Sequence, residues 1–200
     1  MKAAFVEHAE HSDITDDNKD ALLLLCACLG LASRVRAVLQ AGANAAHINQ
    51  RGKTSLTVAM EHKHDAAAEL LVQPTIDAGM DIDAQDSTGK TVLMRACADG
   101  LTNTAAKLVS LGANPELKDT NGNTALELAK DKDMLECLRA GGAKMPDITD
   151  ENKNALLLRY AQNGAAGGVI AVLQAGANTD HRDPVRVRAC VISGGCFVRE

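Results

Sequence analysis

Four small constellations in this 200-residue chain hold residue types that could do chemistry. In Glu61-His62-Lys63-His64-Asp65, two imidazoles stand among carboxylates, a donor set that suits a divalent transition metal. The stretch spans a turn between two helical patterns and no further ligands accompany it, so structural or solvated histidines are the better reading. His8 and His11 would share one face of an N-terminal helix, again without partner ligands. Cys26 and Cys28 form C-x-C, whereas zinc sites want paired C-x-x-C spacings. On a helix, residues i and i+2 point to different faces, which puts Cys26 in a core and leaves Cys28 partly exposed. Cys190 and Cys196 could bridge across a Gly194-Gly195 turn. However, four of the six cysteines lie inside helical patterns, where a free thiol acts as a small apolar residue, and this suits a reducing compartment. No Ser, His and Asp fall in a nucleophile motif. "GLTNTAAK" and "SGG" lack the Lys-Ser/Thr of a phosphate loop. Asp16-Asp17 reads as a helix-start charge bias. The expectation is a non-catalytic chain with no metal and no cofactor; a small hydrolase or metal enzyme is the reading that fits least.

The elements that would position these residues follow from composition. Hydrophobic residues make up 46 % of the chain but aromatics only 2 %, so the core must be Leu, Val and Ala, which favours closely packed helices over a β-sandwich. Net charge is −5 with both signs interspersed, and nothing resembles the basic stripe of a nucleic-acid binder. Without aromatics there is no stacking platform for single strands. No apolar run reaches the eighteen or so residues of a membrane span, and "MKAAFVEHAEHSD" has no apolar stretch long enough for a secretory signal.

A repeat organises the rest. "GKTSLTVA" from Gly52, "GKTVLMRA" from Gly89 and "GNTALELA" from Gly122 share Gly, Thr two residues on, Leu two further, then Ala after three more. "QAGAN" at Gln40, "SLGAN" at Ser110 and "QAGAN" at Gln174 close units of about 33 residues. In the unit from Gly89 to Asn114, Thr91 is the N-cap candidate and Leu93, Ala96 and Cys97 make one apolar stripe. Gly100 breaks the first helix. Ala105, Leu108 and Val109 face inward from the second, and Gly112 ends it. One such helix pair cannot cover its own apolar face, but stacked neighbours can.

The pattern resembles the ankyrin repeat: a turn, a Thr-Pro-Leu-His-like helix start, Gly between antiparallel helices, then Gly-Ala-Asn leading to a projecting hairpin. The resemblance implies an all-α fold, an α-solenoid of stacked helix-turn-helix repeats with projecting β-hairpin loops. Five repeats fall at about 16–48, 49–84, 85–117, 118–146 and 150–182. Departures are specific. Ser55, Val92 and Ala125 replace the family's Pro, and Thr57, Met94 and Glu127 replace its His. Asp20 and Asn154 replace the Thr as N-caps in the first and fifth units. Lys63 stands where the inter-helix Gly belongs, Pro74 is expected to stop the second helix of unit two, and unit four is about three residues short. His64 sits where the family often carries a structural His.

Residues 13–47 and 147–181 are identical at 23 of 35 positions, an offset of 134 that is close to four periods. Duplication of a four-repeat block is the simplest reading, with Pro146 at the joint. The organisation expected is a lead-in at 1–15, repeats one to four at 16–146, a fifth at 147–183 that starts the second block, and a non-repeat tail at 184–200. Val185, Val187, Ala189 and Val191 alternate with Arg186, Arg188 and Cys190. A frayed tail, a strand pairing with the end of the array, and a truncated product are the three readings of that segment.

The family resemblance implies a protein partner held on the concave face of hairpin tips and first helices. The candidate contact residues are His47, Asn49, Gln50, Arg51, Thr57, Asp83, Gln85, Asp86, Ser87, Met94, Arg95, Glu116, Lys118, Asp119, Asn121 and Glu127. A cytoplasmic monomer is expected, with the nucleus as the alternative location. The rival to a free-standing module is a regulatory or targeting segment of a larger enzyme or adaptor.

Overall fold

A computed structural model describes residues 14–130, 132–143, 148–163, 168–169, 172–173 and 175–177. The lead-in up to residue 13, the joint at 144–147 and the tail at 184–200 lie outside the described residues, and with them fall the expectations for His8, His11, Cys190 and Cys196. Among the described residues there are nine helices and no strand, an all-α chain. It divides into two compact units, Met1–Ala84 and Gln85–Glu200.

The first unit holds α1 (Lys19–Leu29), α2 (Ala32–Gln40), α3 (Ser55–Glu61) and α4 (Asp65–Asp77). α1 packs on α2 and on α3, α2 packs on α4, and α3 packs on α4, so two helix pairs stack as two layers. The interior is aliphatic and small: Leu23, Cys26, Val35, Leu56, Met60 and Leu71 are fully buried. The second unit holds α5 (Val92–Asp99), α6 (Thr102–Ser110), α7 (Ala125–Leu128), α8 (Lys132–Ala140) and α9 (Lys153–Asn163). α5 packs on α6 and α7, α6 on α8, α7 on α8 and α9. First helices thus lie against first helices and second against second, the arrangement in which each pair covers the apolar stripe of its neighbour.

Local chemistry sets the helix ends. Thr54 and Thr91 take extended backbone and their hydroxyls accept from the N–H of Thr57 (3.3 Å) and Met94 (3.2 Å). Thr124 starts α7 differently: its N–H donates to the Glu127 carboxylate at 2.8 Å. The three missing residues of unit four come out of this helix, which is four residues long. After α1 and α5, Gly30 and Gly100 adopt left-handed backbone, and the next N–H bonds back to Cys26 and Ala96. After α3 the same geometry falls on Lys63, at φ 58°, with His64 N–H bonded to Ala59.

Two helix boundaries differ from the sequence expectation. Pro74 lies inside α4 rather than ending it. The last turn continues because Leu71, Val72 and Thr75 are buried, the Thr75 hydroxyl donates to the Leu71 carbonyl at 2.7 Å, and left-handed Gly79 supplies the stop. Asp20 and Asn154 are not N-caps but lie within α1 and α9. Those helices begin earlier because Thr15 and Thr149 already make the entry turn: Asn18 and Asn152 accept the Thr N–H at 2.9 and 2.8 Å, and Lys19 and Lys153 N–H donate to the Thr carbonyls at 3.0 and 2.9 Å. The repeated "DIT" segment therefore repeats one hydrogen-bond set, down to the exposed Lys19–Asp16 and Lys153–Asp150 pairs. Asp20 serves elsewhere, accepting the Asn44 N–H at 2.7 Å.

The two copies differ in a compensated way inside. Cys26 and Arg34 of the first correspond to Tyr160 and Gly168 of the second. Tyr160 is fully buried against Leu156, Leu157, Val169 and Val172, and a Cβ on residue 168 would stand 2.6 Å from its ring. The larger aromatic requires the glycine.

Candidate functional site

Three turns carry seven of the sixteen predicted contact residues, and they share one internal architecture. In Asn49–Lys53, Asp86–Lys90 and Asp119–Asn123 the first residue's N–H bonds to the fifth residue's carbonyl, at 3.0, 3.0 and 2.9 Å. The glycine at the fourth position bonds back to the first carbonyl at 2.9, 2.9 and 2.8 Å. The Oδ1 of the first residue then accepts two backbone N–H groups. Asn49 takes those of Arg51 and Lys53 (2.8 and 3.1 Å), Asp86 those of Thr88 and Lys90 (2.8 and 3.0 Å), Asp119 those of Asn121 and Asn123 (2.9 and 2.8 Å). A short polar side chain that folds back on its own turn is what Asn and Asp do well. Asn49, Asp86 and Asp119 are therefore braces. The signal was present in the sequence: Asn or Asp recurs three residues before the turn glycine in all three copies.

Other candidates are also engaged internally. Arg95 donates to the Asp86 carboxylate at 2.7 Å, tying helix start to turn. Burial pushes the Asp86 carboxyl up, but the hydroxyl and N–H of Thr88, the N–H of Lys90 and Arg95 outweigh it, so the group is held well below the usual carboxylate range. Gln85 donates to the carbonyls of Gly89 (2.6 Å) and Lys118 (3.0 Å), and Thr120 donates through N–H and hydroxyl to the Thr88 carbonyl, linking successive turns. Thr57 is half-buried and its hydroxyl donates to the Thr54 carbonyl. Met94, Asp119 and Glu127 are buried, at 0, 5 and 3 % exposure, out of reach of a partner on the surface. Glu127 also accepts from Arg159, which donates to Asn123 (3.0 Å) and the Gly122 carbonyl (2.8 Å) as well. That cation lies in the segment 147–181, at the position where the similar segment 13–47 has Leu25.

The second and third turn positions remain displayed. Gln50, Arg51, Ser87, Thr88, Thr120 and Asn121 are exposed, as are His47, Glu116 and Lys118, while Asp83 is half-buried. His47 stands 3.9 Å from the Asp20 carboxylate. In the first unit Gln50 and Arg51 border a cleft of about 450 Å³. Leu24, Leu25 and Val58 give it apolar walls; Asn49, Gln50, Arg51 and the Lys53–Glu61 ion pair (2.6 Å) give it a polar margin; Cys28 and His62 complete it.

The candidate metal residues of 61–65 do not gather. Glu61 is bound to Lys53, and His64 contacts the Cys28 carbonyl through Nε2 at 3.1 Å. His64 comes so close to Gly30 that a Cβ there would stand 2.5 Å from its Nδ1, which makes this histidine a structural one. Among the described residues no three His, Cys, Asp or Glu side chains form a metal-binding group. Cys26 is buried and Cys28 half-exposed, as their spacing implied.

Stacked helix pairs joined by braced turns define an all-α repeat protein. Residues 72–144 match the family model described as ankyrin repeats in three copies, so this stretch of the chain is built of ankyrin repeats. It is 28 % identical over 195 residues to the ankyrin repeat and SAM domain-containing protein 6 of Danio rerio, covering 93 % of this chain and 24 % of that protein. It is 32 % identical over 115 residues to the ankyrin repeat and SOCS box protein 16 of Mus musculus (54 % and 24 %) and 29 % identical over 138 residues to the ankyrin repeat and KH domain-containing protein mask-1 of Caenorhabditis elegans (68 % and 5 %). The chain thus spans a quarter or less of the length of these relatives. Ankyrin repeats are a protein–protein interaction module. Among the described residues no helix is long and apolar enough to cross a membrane.

Proposed function

We propose that this chain is a non-catalytic module that binds a partner protein through its displayed turn residues and the adjoining first-helix surface. The observation that carries this reading is the cleft of the first unit, where half-buried Leu24 and Leu25, backed by buried Val58, lie beside Arg51 and Gln50. An apolar floor with a polar margin is the usual anatomy of a protein-binding patch. The contact set then reduces to His47, Gln50, Arg51, Asp83, Ser87, Glu116, Lys118 and Asn121, with the braces behind them. It acts as a monomer in the cytoplasm, the nucleus being the alternative. The test is affinity capture from native cells with wild type and with a Leu25→Asp/Arg51→Glu variant of unchanged circular dichroism. Partners held by the wild type and lost by the variant support the face; an identical partner set removes it.

A second reading has its own support. The three relatives named above join ankyrin repeats to a SAM domain, a SOCS box or a KH domain. In that reading the chain is the regulatory or targeting segment of a larger enzyme or adaptor. Coding sequence continuous with this chain and extending into another domain would favour it; a stop codon after Glu200 would remove it.

A further inference from the structure

Cys28 is held by two histidines. Its Sγ lies 3.5 Å from the Nε2 of His62, close enough for the thiol to donate to that nitrogen when the ring carries its proton on Nδ1. Its carbonyl meets the Nε2 of His64 at 3.1 Å. The two rings stack, with centroids 6.1 Å apart and planes 22° from parallel, so the anchored His64 orients His62. A nucleophile, a base within hydrogen-bond reach and a third group orienting the base are the parts of an activated thiol. The thiol opens on the cleft described above, which a small molecule can enter. The other described thiols are placed differently: Cys26 and Cys97 are buried, and burial pushes the Cys137 thiol up. On the same cleft stands exposed Arg51, which among the described residues has no ion-pair partner and is free to meet a carboxylate.

We propose that Cys28, with His62 as its base, is a site of thiol–disulfide exchange with small anionic disulfides, glutathione disulfide being the chemical type. His62 Nε2 takes the Cys28 proton. The thiolate attacks one sulfur of the reagent, a Cys28 S–S bond forms and the reagent's S–S bond breaks. The departing thiolate takes the proton from His62, so one disulfide is consumed, one is formed, and excess free thiol reverses the step. The adduct would occupy the cleft, but the chemistry does not depend on whether that cleft also receives a protein.

The experiment exposes the reduced full chain to glutathione disulfide or to neutral bis(2-hydroxyethyl) disulfide, quenches with acid at intervals and maps each cysteine by peptide mass spectrometry. The adduct should accumulate on Cys28 ahead of Cys26, Cys97 and Cys137. His62→Gln should slow Cys28 with both reagents by roughly tenfold or more, the loss of a positioned base. Arg51→Ala should slow the glutathione reaction alone. Circular dichroism of both variants should match wild type, since both positions are exposed. A Cys28 rate no faster than Cys137, or one unchanged by His62→Gln, overturns the proposal; an Arg51→Ala effect equal for both reagents overturns its preference for anions.

Discussion

Lys63 holds a left-handed backbone at φ 58° in the slot where Gly30 and Gly100 sit in neighbouring repeats. The departure was visible in the sequence and its cost is physical: a Cβ in that region is strained by about 1–2 kcal/mol, part of which glycine gives back in unfolded-state entropy. Lys63→Gly is therefore expected to stabilise the first unit by about 0.5–1 kcal/mol in urea unfolding. Tyr160 offers the opposite test. Its ring packs against Leu156, Leu157, Val169 and Val172, but its hydroxyl is buried with no hydrogen-bond partner among the described residues, and burial together with nearby Glu127 pushes its ionisation up to about 12 despite Arg159. Tyr160→Phe keeps the packing and removes an unsatisfied polar atom, so stability should hold or rise by about 1 kcal/mol in the same measurement. Asp86 is a pH-dependent brace. Its folded carboxyl is held below its unfolded value of about 3.9, so its contribution is full above that value and is lost as pH falls toward the folded value. The stability difference between wild type and Asp86→Asn should be constant above about pH 5 and shrink below about pH 4. A difference that does not change with pH would show that the charge contributes nothing there.

At the scale of helices and turns, the Gly, Thr, Leu and Ala spacing made the helix pairs legible, because caps and apolar stripes are local chemistry. What was not legible depended on residues far away in the chain. Glu127 reads as an exposed helix-start residue until Arg159, 32 residues on, closes over it. Pro74 reads as a stop until the burial of Thr75 carries the helix through. Asn49, Asp86 and Asp119 read as contact residues because polarity at a turn tip suggests display, whereas the spacing to the following glycine identifies a brace. The Arg159 bridge can be tested with the residue of the other copy. Arg159→Leu leaves a buried carboxylate without its cation and should cost about 2–3 kcal/mol, below the full figure for a buried pair because Arg159 is partly exposed. Adding Glu127→Gln should recover part of that loss, since the uncompensated charge is gone. A single variant as stable as wild type would remove the bridge from the account.

For the molecule as a whole, the partner binding proposed above would rest on the separation of bracing from display. Each turn uses one Asx side chain to fix its own backbone, and the two residues that follow vary freely: Gln-Arg, Ser-Thr, Thr-Asn. A prefixed turn spares a partner the entropy of ordering it, which is how repeats with the same core can present different surfaces. Amide hydrogen exchange tests this most directly. The N–H groups of Arg51, Lys53, Thr88, Lys90, Asn121 and Asn123 should be protected in the wild type. Asn49→Ala, Asp86→Ala and Asp119→Ala should each release the pair in their own turn and leave the helices protected. Turn amides that exchange as fast as an unstructured chain in the wild type, or that are indifferent to these substitutions, would contradict the account.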